Sequence, residues 1–320
     1  MQTLPPPLTN SLALQKRARD IIPGISQLLS KRPDRFSEGV WPGYFSKAKG
    51  VKVWDLDDNL YVDMSIGGIG ANILGYGDPD VNRAVKEAID KGTSSSLNCP
   101  EEVKLAELLC ELHPWAEMVR FARTGGEAMA VAVRIARAHT GRDKIAFCGY
   151  HGWHDWYLSA NLATKDALDG HMQSGLVPLG VPKALAGTAL PFNYNDLTAL
   201  EKIMSENKGQ IAAVVMEPIR NFQPEPDFFP GVMALVRQSR AVLVIDEISA
   251  GLRMNTGGAH LLLGIIPDIA VFSKHRQWLS YGSYYRERPS DAGGSEDFYQ
   301  LHKLDRTHRT CGGFGDHKQT

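Results

Sequence analysis

Five short stretches put polar or reactive side chains directly after apolar runs. They are Arg123-Thr124-Gly125-Gly126-Glu127, Gly149-Tyr150-His151-Gly152, Glu217-Pro218, Asp246-Glu247 and Ser273-Lys274. Each has an ordinary reading when taken alone. Thr124-Gly125-Gly126 at a helix start offers backbone N–H groups and a favourable dipole to a phosphate, but a tight turn uses the same residues. Tyr150-His151 can be a plate over a flat ring or a half-buried aromatic pair at a loop. Asp246, at the end of "AVLVID", is costly to bury without a cation. A ring N–H⁺ would serve, and so would a protein arginine such as Arg253. Lys274 alone reads as a solvated lysine. Together the five offer an anion cradle, an aromatic plate, acids and an amine able to form a covalent link with an aldehyde.

The elements that must position these residues follow from the hydrophobic pattern. "KIAFC", "IAAVVME", "AVLVIDE" and "IAVFS" are continuous Val/Ile/Ala runs, and "MVRFAR" is a shorter strand. Between them lie amphipathic or capped stretches: "DPDVNRAVKEAIDKG", "PEEVKLAELLCELH", "GGEAMAVAVRIARAHTG", "NDLTALEKIMSENKG" and "PGVMALVRQSRA". Buried strands alternating with helices predict an α/β fold with a mostly parallel central sheet covered on both faces. Ligands of such sheets sit beyond the carboxyl ends of the strands, where the five stretches fall. Upstream, residues 1–50 read as an irregular, proline-rich arm, and Val51–Met64 as a hairpin turning at Asp57-Asp58-Asn59. "SIGGIGANILGYGDPD" reads as a loop packed closely against something. Its glycines lack the frame of a dinucleotide loop, and no G-x-G-x-x-G follows a strand, which excludes a nicotinamide-binding reading.

Bulk properties narrow the class. The 320 residues carry a net charge of −1 and 43% apolar side chains, as in a soluble globular protein. Lysines and arginines are scattered, so no nucleic-acid partner is expected. No apolar run approaches a membrane span, the N-terminus is unlike a secretory signal, and a cytoplasmic location is expected. The four cysteines lack metal-ligand spacing and are expected to be reduced and mostly buried.

An anion cradle, a stacking aromatic, a carboxylate for a pyridine nitrogen and a lysine for a Schiff base are the requirements of pyridoxal 5'-phosphate. In chain order, the segment from Tyr44 to Lys274 resembles the class III, fold-type I aminotransferases. "YFSKAKGVKVWDLDDNLYVDM", "NILGYGDPDVNRAVKEAI", "RTGGEAMAVAVRIARAHTGRDKIAFCGYHGW", "VVMEPI", "VLVIDEISAGLR" and "PDIAVFSK" carry the likeness. "YHGWHDW" and the "IIPGI" arm point to the glutamate-1-semialdehyde aminomutase-like branch. The resemblance implies that Thr124, Gly125 and Gly126 hold the phosphate and that Tyr150, with His151 beside it, meets the ring. Asp246 would pair with the pyridine nitrogen, and Ile248 would pack on the other face. Glu217 would lie near the ring's substituents. Lys274 would carry the Schiff base and move the α-proton. It further implies a small-molecule amino donor, a carbonyl acceptor and a homodimer.

The sequence departs from the family after Lys274. From His275 to Thr320 there is no Val, Ile or Met, so a further parallel strand or an apolar-striped helix is not expected. Reading the last two bases of each codon with the first of the next gives another result. Trp278 has the single codon TGG, so its shifted codon means glycine. The shifted frame can spell "GNGYPMAAIIG" over 276–286, and "DFYQLHKLDRT" can become "TFISSTNWTER". Both resemble family segments, which points to a slipped reading frame and an accidental stop; a natural divergent tail is the alternative. The expected organisation is an arm and hairpin at 1–75, an incomplete cofactor-binding domain at 76–274 and an aberrant, poorly ordered tail at 275–320, with the C-terminal small domain missing. Dimerisation and activity of such a chain are then in doubt, and a non-catalytic remnant is the rival reading.

Overall fold

The computed structural model describes residues 7–65, 67–171, 176–219 and 221–274, together with the backbone of 283–285. The chain divides at Cys99/Pro100 into two compact units, with Lys274 grouped with the first. The sequence reading had placed a boundary at residue 75.

The first unit opens with helix α1 (Thr9–Ile21), in a stretch expected to be irregular. Its apolar pattern is weak, and Leu8 offers no capping side chain. The cap comes from far along the chain: Asn10 N–H and Ser11 N–H donate to the Asp57 carboxylate at 2.8 and 3.1 Å. Strands β1 (Phe45–Lys49), β2 (Lys52–Asp55) and β3 (Leu60–Val62) form an antiparallel sheet in that order. The turn falls where expected. Asp55 stabilises it by accepting from Asp57 N, Asn59 N, Asn59 Nδ2 and Tyr61 Oη at 2.8–3.0 Å. The glycine-rich segment closes onto this sheet through a Gly50–Tyr76 bridge, and a Cβ on Gly75 would lie 3.1–3.3 Å from the Gly50 backbone. Helix α2 (Pro79–Asp90) is capped by Asp78, which accepts from Asp80 N and Val81 N.

The second unit runs α3 (Pro100–Leu112), β4 (Met118–Val119), α4 (Gly125–Thr140), β5 (Lys144–Cys148), α5 (Asp155–Leu158), α6 (Ala160–Ala163) and β6 (Ala189–Pro191). It continues with α7 (Leu197–Glu206), β7 (Ile211–Met216), α8 (Phe228–Ser239), β8 (Val242–Asp246), α9 (Ala259–Leu262) and β9 (Ile269–Val271). A last strand, β10 (Ser283–Tyr285), completes a seven-stranded sheet in the order β4-β10-β9-β8-β7-β5-β6. Strands β5 to β9 pair in parallel. Every residue of β7 and β8 is buried. On one face Ala128, Met129, Ala132, Val133 and Ala136 of α4 join the core. On the other, Phe228, Phe229, Val232 and Val236 of α8 do so, with Leu200 of α7. Each large aliphatic buried in this way contributes about 1.5–3 kcal/mol.

No further parallel strand was expected in 275–320, and the strand described there, β10, pairs antiparallel with both β9 and β4. Backbone pairing across three residues needs no long apolar run. The remainder of 275–320, and with it the frame-slip segments except 283–285, lies outside the described residues. Of the described cysteines, Cys148 is buried, Cys110 half-buried and Cys99 exposed, so burial is less general than expected. Among the described residues no helix is long and apolar enough to cross a membrane.

Candidate active site

The register fixes which residues leave the sheet together. Cys148 pairs with Met216, Met216 with Ile245, and Asp246 with Val271. Gly149-Tyr150-His151, Glu217, Asp246 to Ile248 and Ser273 therefore emerge along one carboxyl edge, where a parallel sheet holds its ligands.

Asp246 is 2% exposed and fully engaged within the chain. Its Oδ1 accepts from Ile248 N–H at 3.0 Å, and its Oδ2 lies 2.7 Å from His151 Nδ1. The other nitrogen of His151, Nε2, lies 3.0 Å from the Cys148 carbonyl oxygen. The partner that the buried carboxylate meets within the chain is thus the His151 ring, itself oriented by the Cys148 carbonyl. Arg253, weighed as a protein partner, donates its Nε–H to the Ser249 carbonyl at 2.6 Å. His151 was grouped with Tyr150 as a plate; it instead lies buried against Asp246, with Trp156 and Tyr157 rings around it.

Beside this pair, the turn after β5 is set by a second carboxylate. Tyr150 N–H donates to Glu217 Oε2 at 3.3 Å. Gly149 takes φ +109°, and a Cβ there would stand 2.6 Å from the same oxygen. Gly149 N–H donates to His171 Nδ1 at 3.2 Å, so that nitrogen is an acceptor. Burial, with the neighbouring His151 adding to it, holds His171 down at about 4. The sequence reading missed His171; its link to Gly149 spans 22 residues of irregular chain and leaves no pattern.

The start of α4 is a reciprocally capped turn. Thr124 caps it by accepting from Glu127 N–H at 3.1 Å, and Glu127 Oε2 accepts from Arg123 N–H at 2.8 Å. The N–H groups of Gly125 and Gly126, in the first turn, have no acceptor in the helix itself. A Cβ on Gly125 would stand 2.8 Å from Ile248 Cδ1 and 3.3 Å from Ser273 Cβ, and one on Gly126 3.0 Å from the His154 ring. The helix start therefore lies against the exits of both β8 and β9. Ile248 and Tyr150 are half-buried and pack on the same core cluster. The donor set fits a phosphate dianion at Gly125-Gly126, and the Asp246 carboxylate fits a ring N–H⁺. The second unit thus gathers Thr124, Gly125, Gly126, Tyr150, His151, Glu217, Asp246 and Ile248. Lys274 is half-buried, three residues beyond the end of β9 in the chain, and groups with the first unit.

Comparison with known proteins agrees with this chemistry. The family model for class-III aminotransferases matches residues 37–282. A 3-aminobutyryl-CoA aminotransferase of Cloacimonas acidaminovorans is 34% identical over 274 residues, 83% of this chain and 62% of that protein. An omega-transaminase from Sphaerobacter thermophilus has a TM-score of 0.74 at 29% identity, covering 87% of this chain and 64% of its own. A transaminase with PLP bound has a TM-score of 0.76 at 26% identity, covering 92% and 66%. The chain thus spans less than two thirds of the length of these relatives. The aminomutase-like branch is less similar: a glutamate-1-semialdehyde aminomutase from Pseudomonas aeruginosa is 20% identical, with a TM-score of 0.67, and shares the fold.

Proposed function

The chain belongs to the class-III aminotransferase family, and on that premise we propose that it binds pyridoxal phosphate and moves an amino group from a small-molecule donor to a carbonyl acceptor. The observation that carries this reading is the buried Asp246–His151 pair, 2.7 Å apart, on the same sheet edge as the open helix start at Gly125-Gly126. When bound, the cofactor supplies an electron sink for the carbanion left when the donor carbon loses its proton.

The chain's own residues have these proposed roles. The N–H groups of Gly125 and Gly126, with Thr124, hold the phosphate. Asp246 keeps the pyridine nitrogen protonated, and His151 and the Ile248 N–H fix the direction of its carboxylate. Tyr150 and Ile248 bound the flat ring, and Glu217 stands near its substituents. Lys274 Nζ would be the amine that holds the cofactor's aldehyde carbon, with loss of its oxygen as water, and would serve as the base for the donor's α-proton. It can do either only as the neutral amine, which a desolvated site with a cation nearby favours.

Transfer between two substrates is preferred over an aminomutase rearrangement, because the aminotransferases named above are 34% and 29% identical and the aminomutase 20%. A homodimer is also proposed. The family resemblance supports it, and Met64, Leu74 and Leu97 of the first unit, 88%, 69% and 84% exposed, are candidates for the surface it would cover. We further infer a slipped reading frame after Lys274, with impaired activity as its consequence. The two respelled family segments support it, and an in-frame gene sequence around the Lys274 codon would overturn it.

The test of the main reading is spectroscopic. The purified chain mixed with pyridoxal phosphate should gain a visible band; borohydride should bleach it and leave the cofactor covalently on Lys274, and Lys274→Ala should abolish both the band and the attachment. A colourless protein would support the non-catalytic remnant instead.

A further inference from the structure

Glu247 is the one residue of the Asp246-Glu247 stretch to which nothing above gives a role. Its side chain leaves β8 on the face opposite Asp246 and is fully buried. Oε1 accepts twice from one residue, from His260 N–H and from His260 Nδ1–H, both at 2.7 Å. The other ring nitrogen, His260 Nε2, accepts from Trp115 Nε1–H at 3.2 Å. Those two bonds define a neutral ring with its proton on Nδ1. His113 stacks on His260 at 5.5 Å, and its nitrogens lie 2.8 Å from the Leu109 carbonyl and 2.5 Å from the Gly257 carbonyl. Glu247 Oε2 is buried with no hydrogen-bond partner among the described residues. Such a group is retained only against a desolvation cost.

The cluster is built around the carboxylate. Gly258 takes φ +104°, and a Cβ there would lie 2.8 Å from Glu247 Oε1 and 3.0 Å from His260 Nδ1. Among the described residues no set of three or more His, Cys, Asp or Glu side chains could hold a metal ion.

Its contacts show what it can do. Phe272, two residues before Lys274, packs on His113 at 5.2 Å and on His260 at 6.3 Å. A Cβ on Gly251 would stand 2.6 Å from Phe272 Cδ1 and 2.7 Å from the Glu247 carbonyl oxygen. Glu247 N–H donates to the Val271 carbonyl at 2.8 Å, and Gly251 N–H donates to the Glu247 carbonyl at 2.8 Å. The backbone of Glu247 therefore ties the exits of β8 and β9, one bearing Asp246 and the other leading to Lys274, and its carboxylate braces that tie from behind through His260, whose ring packs on Phe272. The far end of the hold is Trp115, in the connection between α3 and β4.

We propose that Glu247, through His260 and Trp115, is a positioning residue that fixes the Asp246 turn and the approach to Lys274 for the cofactor. This rests on the function proposed above. The test follows the visible band and the rate of cofactor release from loaded protein, at a temperature well below the melting point of every variant. Glu247→Ala should release cofactor at least tenfold faster and shift or weaken the band. Glu247→Gln keeps the Oε1 acceptor and should restore both to within about threefold of the original. Trp115→Phe removes only the distal N–H and should speed release two- to fivefold, which keeps the test open if Glu247→Ala does not fold. A Glu247→Ala protein, or failing that a Trp115→Phe protein, with an unchanged band and release rate would overturn the proposal. Absence of any band in the original chain would instead overturn the function on which it rests.

Discussion

His151 and Asp246, 95 residues apart in the sequence, meet with Nδ1 and Oδ2 at 2.7 Å in the interior of the second unit. The carboxylate reaches the end of β8 already met by an imidazole from the turn after β5. That changes what the site asks of a ligand. A positively charged ring nitrogen would not rescue a lone buried charge. It would join a pair whose direction is set by the Cys148 carbonyl at one end and the Ile248 N–H at the other.

His151→Ala should therefore be strongly destabilising even without ligand. If the pair is charged, removing one partner costs about 3–5 kcal/mol, because the other is left buried and uncompensated. For a unit of this size that corresponds to a fall in melting temperature of roughly 6–20 °C. Asp246→Asn should cost less, since the amide can still offer an oxygen to His151 Nδ1. Thermal denaturation of the two variants side by side checks the ranking; equal, small losses would mean that the pair is not charged.

Gly149→Ala tests the turn that carries Tyr150 and His151. A side chain at φ +109° is strained by about 1–3 kcal/mol, and here its Cβ would also strike Glu217 Oε2 at 2.6 Å. The carboxylate must move, so the Tyr150 N–H bond should be lost with it. The expected result is a melting temperature lower by roughly 2–12 °C, with faster hydrogen exchange at the Tyr150 amide. Gly141→Ala, at φ +63° with open space around it, is the control for backbone strain alone.

Much of the frame was legible in the sequence because it is local. β5, β7 and β8 are uninterrupted apolar runs, and the Thr124 and Asp78 caps sit one residue before their helices. β6 has three residues and no such run, so it left no signal. The chemistry-bearing residues were legible through their place after strands. Their pairings were not: Asp246 needed a partner, and nothing local favours His151 over Arg253. Glu247 shows the same limit, since its partners lie at His260 and, through it, Trp115. Strand alternation implies a side chain on the opposite face but cannot say what it meets there.

The cap of α1 is the plainest non-local case and gives a third prediction. Because the Asp57 carboxylate serves Asn10 N–H and Ser11 N–H, Asp57→Ala should unravel the first turn of α1 although it lies in a hairpin turn. Loss of a helix cap costs about 1 kcal/mol. Hydrogen exchange at the amides of residues 10 and 11 should rise about fivefold, while exchange in α4 stays as it was. Unchanged exchange at those two amides would show that solvent caps the helix equally well.

The fourth prediction concerns pH and turns on His171. Its imidazole is held down to about 4 by burial, with His151 contributing, against 6.5 for an ordinary histidine. At pH 7.5 the ring is neutral folded or unfolded and costs nothing. As pH falls through 6.5 the unfolded chain takes up a proton that the folded chain refuses, so stability declines. The decline continues to about 4, where the folded ring protonates as well, and ends there. His113, also held down by burial, acts in the same direction. His171→Asn keeps an acceptor for Gly149 N–H but has nothing to titrate, so it should remove only the His171 share. Melting temperatures at pH 7.5 and pH 5 should therefore differ less in the variant than in the original chain. An equal fall in both would mean that Gly149 N–H is held by a ring able to protonate in place, which the accepting Nδ1 forbids.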